Sequence, residues 1–179
     1  LSHAMTAIAK AAVQISLVFA FGASAFGAEY YQYASGQADN VLDLVKTSKV
    51  LRYKLIENTP YCRKTPGLYG YVQYPDPVRY GAAGTYGICS RRIIQEGSQS
   101  QFNRVVFHES VHAAQGCHPR AWLLGIPQAS IPQDLKAWVR QSPLYQGNNE
   151  ESNKAEYEAY YLEDFPDRVT SEVRAQCHR

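Results

Sequence analysis

The chain has 179 residues, 45% of them hydrophobic, and carries 18 Lys and Arg against 16 Asp and Glu for a net charge of +2. That balance lacks the basic excess of a nucleic-acid binder, so no nucleic-acid partner is expected. The length suits a single globular domain.

Residues 1–28 contain no acid and one Lys, Lys10, followed by an apolar run from Ala11 to Phe21 that is short for a bilayer span. Ala23-Ser24-Ala25 then offers a small-x-small cleavage site, with Ala25-Phe26-Gly27 as a second choice. This reads as an export signal starting at Met5, with residues 1–4 upstream of it. The alternative is an uncleaved amphipathic or anchoring N-terminus. Export predicts a secreted or periplasmic protein with no stable membrane association after cleavage. The remaining domain, 29–179, has 17 basic and 16 acidic side chains once Lys10 is gone. Charge therefore points to no partner, and a monomer is expected.

Cys62, Cys89, Cys117 and Cys177 all fall in the exported part, where an oxidising compartment favours disulfides. The expected pairing is Cys62–Cys89, closing the middle segment, and Cys117–Cys177, tying the end of the motif helix to the C-terminus. A cysteine-containing zinc site lacks any C-x-x-C spacing.

From 29 to 37 the chain is an irregular lead-in. Val41, Leu42, Leu44, Val45 and then Val50, Leu51, Leu55, Ile56 recur at helical spacing, with Thr47-Ser48 able to cap a second helix, so one core helix or a pair is predicted. Thr59-Pro60 and Lys64-Thr65-Pro66-Gly67 break the pattern. Leu68 to Tyr74 alternates as a strand, Asp76-Pro77 turns, and Gly84 to Cys89 and Arg92-Ile93-Ile94 are further strand pieces. The middle is thus a small, mostly antiparallel sheet rich in Gly and Tyr, which β-propensity on a half-buried surface explains. A sharper reading has an edge strand pairing with an extended peptide while a Tyr hydroxyl stabilises an oxyanion.

Ser98-x-x-Gln101 has the form of a capping box, and Phe102, Val105, Val106, Glu109 and Ala113 follow at three-to-four spacing. A helix is predicted over 99–115, stopped by Gly116 with Pro119 beyond. Within it stands His108-Glu109-Ser110-Val111-His112, a His-Glu-x-x-His motif. At i and i+4 the two imidazoles project from one helix face and can reach a single metal ion. Glu109 lies about 100° round the helix, where its carboxylate can hold a water rather than the ion. That is the arrangement of a zinc hydrolase, although the motif also arises by chance on core helices.

A catalytic zinc takes three protein ligands and one open position. His118 lies ten residues after His108, the metzincin spacing, but Gln115 stands where that pattern has Gly, and the only Met is Met5. Further on, Ile131-Pro132 begins a short helix through Leu135, Trp138 and Val139, ended by Ser142-Pro143. Asn148-x-x-Glu151 opens another that runs to Phe165-Pro166. There Glu158 sits in an apolar stripe with Ala155, Tyr161, Leu162 and Phe165, and a buried carboxylate needs a cationic partner. Glu158 is therefore the expected third ligand. Glu156, grouped with Ser152, Asn153, Tyr160 and Glu163 on a solvated face, is the fallback. A last amphipathic helix leads from Asp167 to Cys177.

His108-Glu109-x-x-His112 followed by a helical glutamate in Lys154-Ala155-Glu156-Tyr157-Glu158-Ala159 resembles the short gluzincin branch of the zincin metallopeptidases. The resemblance covers residues 99–165. It implies an α+β, mostly helical zincin-like domain with a small sheet before the motif helix. It also implies Zn2+ held by His108, His112 and Glu158, and hydrolysis of a peptide or protein substrate. Glu109 is the implied general base, taking a proton from a zinc-activated water and passing it to the leaving amine. The family's orienting aspartate has Asp164 as its candidate. The alternative is an exported, disulfide-stapled binding or structural protein with a structural or inactive zinc site.

Overall fold

A computed structural model describes residues 35–75, 83–96, 99–118 and 123–179. The export signal, most of the lead-in, the Asp76-Pro77 turn, Ser98 and Pro119 lie outside the described residues. In chain order the elements are α1 (Gln37–Lys46), β1 (Tyr53–Glu57), α2 (Pro60–Lys64), β2 (Gly70–Gln73), β3 (Gly84–Ile88), α3 (Ser90–Glu96), α4 (Gln99–Cys117), α5 (Gln133–Gln141), α6 (Glu150–Leu162) and α7 (Pro166–Cys177). The class is α+β, with helices predominating over one three-stranded sheet of order β1-β3-β2.

Two predicted elements change type. The apolar pattern over 41–56 reads as helix throughout, but α1 ends at Lys46 and Tyr53–Glu57 is a strand. Short apolar runs fit either period, and here β3 offers a parallel partner in the register Tyr53↔Gly84 to Glu57↔Ile88. Arg92-Ile93-Ile94 is helix α3 rather than strand, turned in directly after Cys89, whose carbonyl accepts from the amides of Arg92 and Ile93. The sheet is mixed rather than mostly antiparallel, since β1 runs parallel to β3 and only β2 is antiparallel to it.

Tyrosine and glycine in the sheet are complementary. Tyr71 pairs with Gly87 across the strands, and a Cβ at Gly87 would lie 2.3 Å from the Tyr71 ring. The glycine is the space the ring needs.

Helix α4 is the axis of the molecule. It packs on α1, α6, α7 and the sheet, burying Phe102, Val106, Val111, Ala113 and Ala114. Gly116 does not stop it, because the helix runs on to Cys117. Its role is close approach: a Cβ there would fall 2.3 Å from the Tyr74 ring and 2.5 Å from the Tyr53 hydroxyl. Three tyrosines from the sheet region clamp this helix by donating to its backbone carbonyls. Tyr86 bonds Val106 O at 2.8 Å, Tyr74 bonds His112 O at 2.9 Å and Tyr53 bonds Ala113 O at 2.8 Å.

Both expected disulfides are present. Cys62–Cys89 spans 27 residues and Cys117–Cys177 spans 60, fixing the end of α4 to the end of α7. Among the described residues no helix is long and apolar enough to cross a membrane.

Replacing Cys117 and Cys177 together by Ser should lower the unfolding free energy by about 2–5 kcal/mol in denaturant melts. Tyr86→Phe removes the buried hydroxyl that donates to the Val106 carbonyl and meets the Ser110 hydroxyl at 3.1 Å. It should cost about 1–3 kcal/mol in the same assay.

Candidate metal centre

The two motif histidines leave α4 one turn apart on the face turned to α6, with their Nε2 atoms 3.2 Å from each other. Glu156 comes from the second turn of α6, and its Oε2 lies 3.4 Å from each Nε2. A point about 1.9 Å from all three atoms follows from these sides, close to the ~2.0–2.2 Å of zinc bonds to His and carboxylate. His108, His112 and Glu156 thus form a largely buried group that can hold a metal ion. The donor chemistry fits as well. Oε2 of Glu156 is buried without a well-formed hydrogen bond among the described residues, an expensive state for a carboxylate unless a cation faces it.

The outer ring nitrogens are tied back, which aims the inner ones at the shared point. His108 Nδ1 donates to Glu163 Oε2 at 2.9 Å, and Glu163 is paired in turn with Arg104 at 2.6 Å. His112 Nδ1 donates to Gln115 Oε1 at 2.8 Å. With the proton on Nδ1 in both rings, both Nε2 lone pairs are available to an ion. Tyr160 packs edge-on to the His108 ring, 4.2 Å between centroids, and its hydroxyl meets that of Tyr145 at 2.8 Å.

Glu158, the expected third ligand, is not in this group. Its carboxylate turns the other way, accepting from the amides of Leu124 at 2.7 Å and Ile126 at 2.9 Å and from Gln115 Nε2 at 3.0 Å. A buried acid does need partners, but three N–H donors serve as well as a cation. The fallback, Glu156, takes the ligand position, because the face read as solvated is the one laid against α4. His118 is not in the group either, since α4 continues unbroken to Cys117 and carries it down the axis. The orienting acid is Glu163 rather than Asp164, which is exposed and paired with Arg104. Glu163 lies seven residues after Glu156, two turns along the same face, so a reading that started from Glu156 leads to it.

Glu109 lies beside the group with Oε2 buried and without a hydrogen-bond partner among the described residues. A Cβ at Gly70 would fall 2.6 Å from its Cγ and Oε1, so the carboxylate rests directly on the backbone of β2. Burial pushes Glu109 up to about 7, only partly opposed by His108 and His112. Burial alone would push the imidazoles down. The Glu156 carboxylate, with Glu163 behind His108, outweighs it, so that His108 is pushed up to about 10 and His112 also upward. Glu156 is raised by burial but held well below the usual carboxylate range by His112 and His108. The group lines a cleft of about 590 Å³ together with Gly70, Tyr71 and Val72 of β2 and with Leu144, Asn148 and Ser152.

Because His108 is pushed up to about 10 without an ion, an arriving cation must displace its proton. Zinc uptake near pH 7 should release protons, seen as buffer-dependent binding heats, and affinity should rise from pH 6 to 8. One ion per chain should be lost in His112→Ala and Glu156→Ala and retained in His118→Ala, by metal analysis.

Neither a curated protein nor a solved structure matches the chain. A family match extends over residues 30–178, spanning the sheet, both disulfides and every residue of the metal centre. The chain belongs to the DUF8637 family, a domain of unknown function.

Proposed function

We propose that this protein is an exported zinc metallopeptidase of the short gluzincin kind, with His108, His112 and Glu156 as zinc ligands and Glu109 as general base. The observation that carries the reading is the convergence of the three donors beside Glu109, whose buried Oε2 lacks a hydrogen-bond partner among the described residues, in the lining of an open cleft. The donor set favours zinc: two imidazoles and one carboxylate, with a place left for water. All four cysteines are bonded to each other, which leaves no thiol to close the coordination shell. The disulfides also support export, by the oxidising compartment they need.

Zinc, when bound, supplies a Lewis acid that makes a neutral-pH nucleophile of water and polarises a carbonyl. The rest falls to the chain. Glu109, one residue from the first ligand, takes the proton of the attacking water and delivers it to the leaving amine. Its carboxyl, raised by burial to about 7, is suited to both transfers. β2 is an edge strand whose residues Gly70, Tyr71 and Val72 line the cleft, so an extended substrate chain can add to it as a further strand. That would carry a peptide bond across the metal centre. Tyr74 and Tyr145 also line the cleft, and burial pushes both hydroxyls above the ordinary tyrosine range, which keeps them proton donors. Tyr74 is committed to His112 O and Tyr145 is hydrogen-bonded to Tyr160, so neither is assigned the oxyanion.

Glu109→Gln should retain one zinc per chain and reduce cleavage of an unstructured protein substrate at least 100-fold. Wild-type cleavage by that variant would remove Glu109 from the mechanism.

A further inference from the structure

Glu158 and Gln115 are both about 1% exposed, yet neither touches the candidate ion position. They form a chain that ends on it. Glu158 Oε2 accepts from Gln115 Nε2 at 3.0 Å, and Gln115 Oε1 accepts from His112 Nδ1 at 2.8 Å. Gln115 Nε2 also donates to Ala155 O at 3.1 Å. Two acceptors, a carboxylate and a carbonyl, therefore hold the NH2 end of this amide and leave only its oxygen for the imidazole. That orientation decides the tautomer. With an acceptor at Nδ1 the ring proton sits there, and the Nε2 lone pair faces Glu156 and His108. A ring released from Gln115 can carry its proton on Nε2, where it blocks an ion.

We propose that Gln115 and Glu158 are positioning residues for the metal centre, acting in series: Glu158 orients the Gln115 amide, and Gln115 orients His112. The two histidines are thus oriented differently, His108 by a carboxylate in direct contact and His112 by a neutral amide that a buried carboxylate holds in place. The same carboxylate receives the amides of Leu124 and Ile126, so the loop that follows α4 is fastened to the centre through the chain. This inference rests on the metal-binding part of the proposed function and is independent of peptide hydrolysis.

The test is zinc affinity, measured by competition with a chromophoric chelator, for the wild type, Gln115→Met, Glu158→Gln and the double variant. The unfolding midpoint of each ion-free protein and the visible spectrum of each cobalt(II)-loaded one are recorded alongside. Gln115→Met keeps the volume and leaves both amide bonds of Glu158 intact. It should weaken zinc binding 10–100-fold and shift the cobalt spectrum, with a cooperative ion-free unfolding transition showing that the variant still folds. Glu158→Gln should weaken binding similarly, and the double variant should be no weaker than the worse single, because a chain broken at one link has nothing to lose at the other. If Glu158→Gln does not fold, Gln115→Met decides the matter alone. Wild-type zinc affinity in Gln115→Met, or losses that multiply in the double variant, would overturn the positioning chain while leaving the metal centre standing. A wild-type protein that takes up no zinc at micromolar concentration overturns both.

Discussion

Everything at the centre of this molecule depends on one partly buried carboxylate facing two imidazoles. Glu156 brings a negative charge to 3.4 Å from two ring nitrogens that are themselves 3.2 Å apart. Without a cation, Glu156 and Glu163 outweigh the effect of burial on His108 and push it up to about 10. A divalent ion would bring a charge of +2 to the same place in exchange for the His108 proton. The geometry is therefore one that can hold either a proton or a metal ion, and the outer contacts bear on which of them it favours. Glu163 and Gln115 both hold Nδ1, so that what the ion meets is a pair of lone pairs already aimed.

Holding two helices at that spacing is the task of the rest of the fold. α6 presents Glu156, Tyr160 and Glu163 along one face, and α4 presents His108 and His112 opposite them. A shift of α4 by a fraction of an ångström would separate the donors. The sheet opposes such a shift through hydroxyls rather than through apolar contact alone: Tyr53, Tyr74 and Tyr86 each bond a carbonyl of α4. Two of these carbonyls, His112 O and Ala113 O, belong to the second ligand and its neighbour. At the C-terminal end Gly116 lets the tyrosines approach and Cys117 locks the helix to α7. The sheet has few residues of its own to bury, and its tyrosines make it a clamp.

The sequence made some of this legible and hid the rest for identifiable reasons. Helix α4 and its motif could be read because local spacing alone brings His108 and His112 together, and no tertiary information is needed for i and i+4. Both disulfide pairings were likewise anticipated. The third ligand could not be fixed, because Glu156 and Glu158 differ by two residues on one helix and both faces of that helix are occupied. The polar face of α6 packs against α4 rather than facing solvent, and polar residues turned to another helix look the same in sequence as polar residues turned to water. Glu158 was correctly read as buried, but its donors are backbone amides of Leu124 and Ile126, which leave no trace in a residue pattern. β1 failed for a different reason. Its strand identity comes from the parallel partner β3, some thirty residues away in the chain, and only then does a helix-compatible apolar pattern become a strand.

The environment of Glu109 shows how two demands on one residue are met by its surroundings. A base flanking a metal site sits in the field of a cation, which lowers its pKa and weakens it as a proton acceptor. The protein supplies the opposing effect. Gly70 brings the β2 backbone so close that a Cβ there would lie 2.6 Å from the carboxylate, which adds to the burial that pushes Glu109 up to about 7 before any cation is considered. Its Oε2 has no hydrogen bond to stabilise the charge, so nothing in the described chain offsets that desolvation except the two histidines. Widening the contact by moving β2 away would hydrate Glu109 and lower its pKa at the same time as it opened the cleft. In the proposed mechanism the glycine thus joins two properties that a side chain at position 70 would separate: the strength of the base and the place where an extended chain would lie against the edge strand.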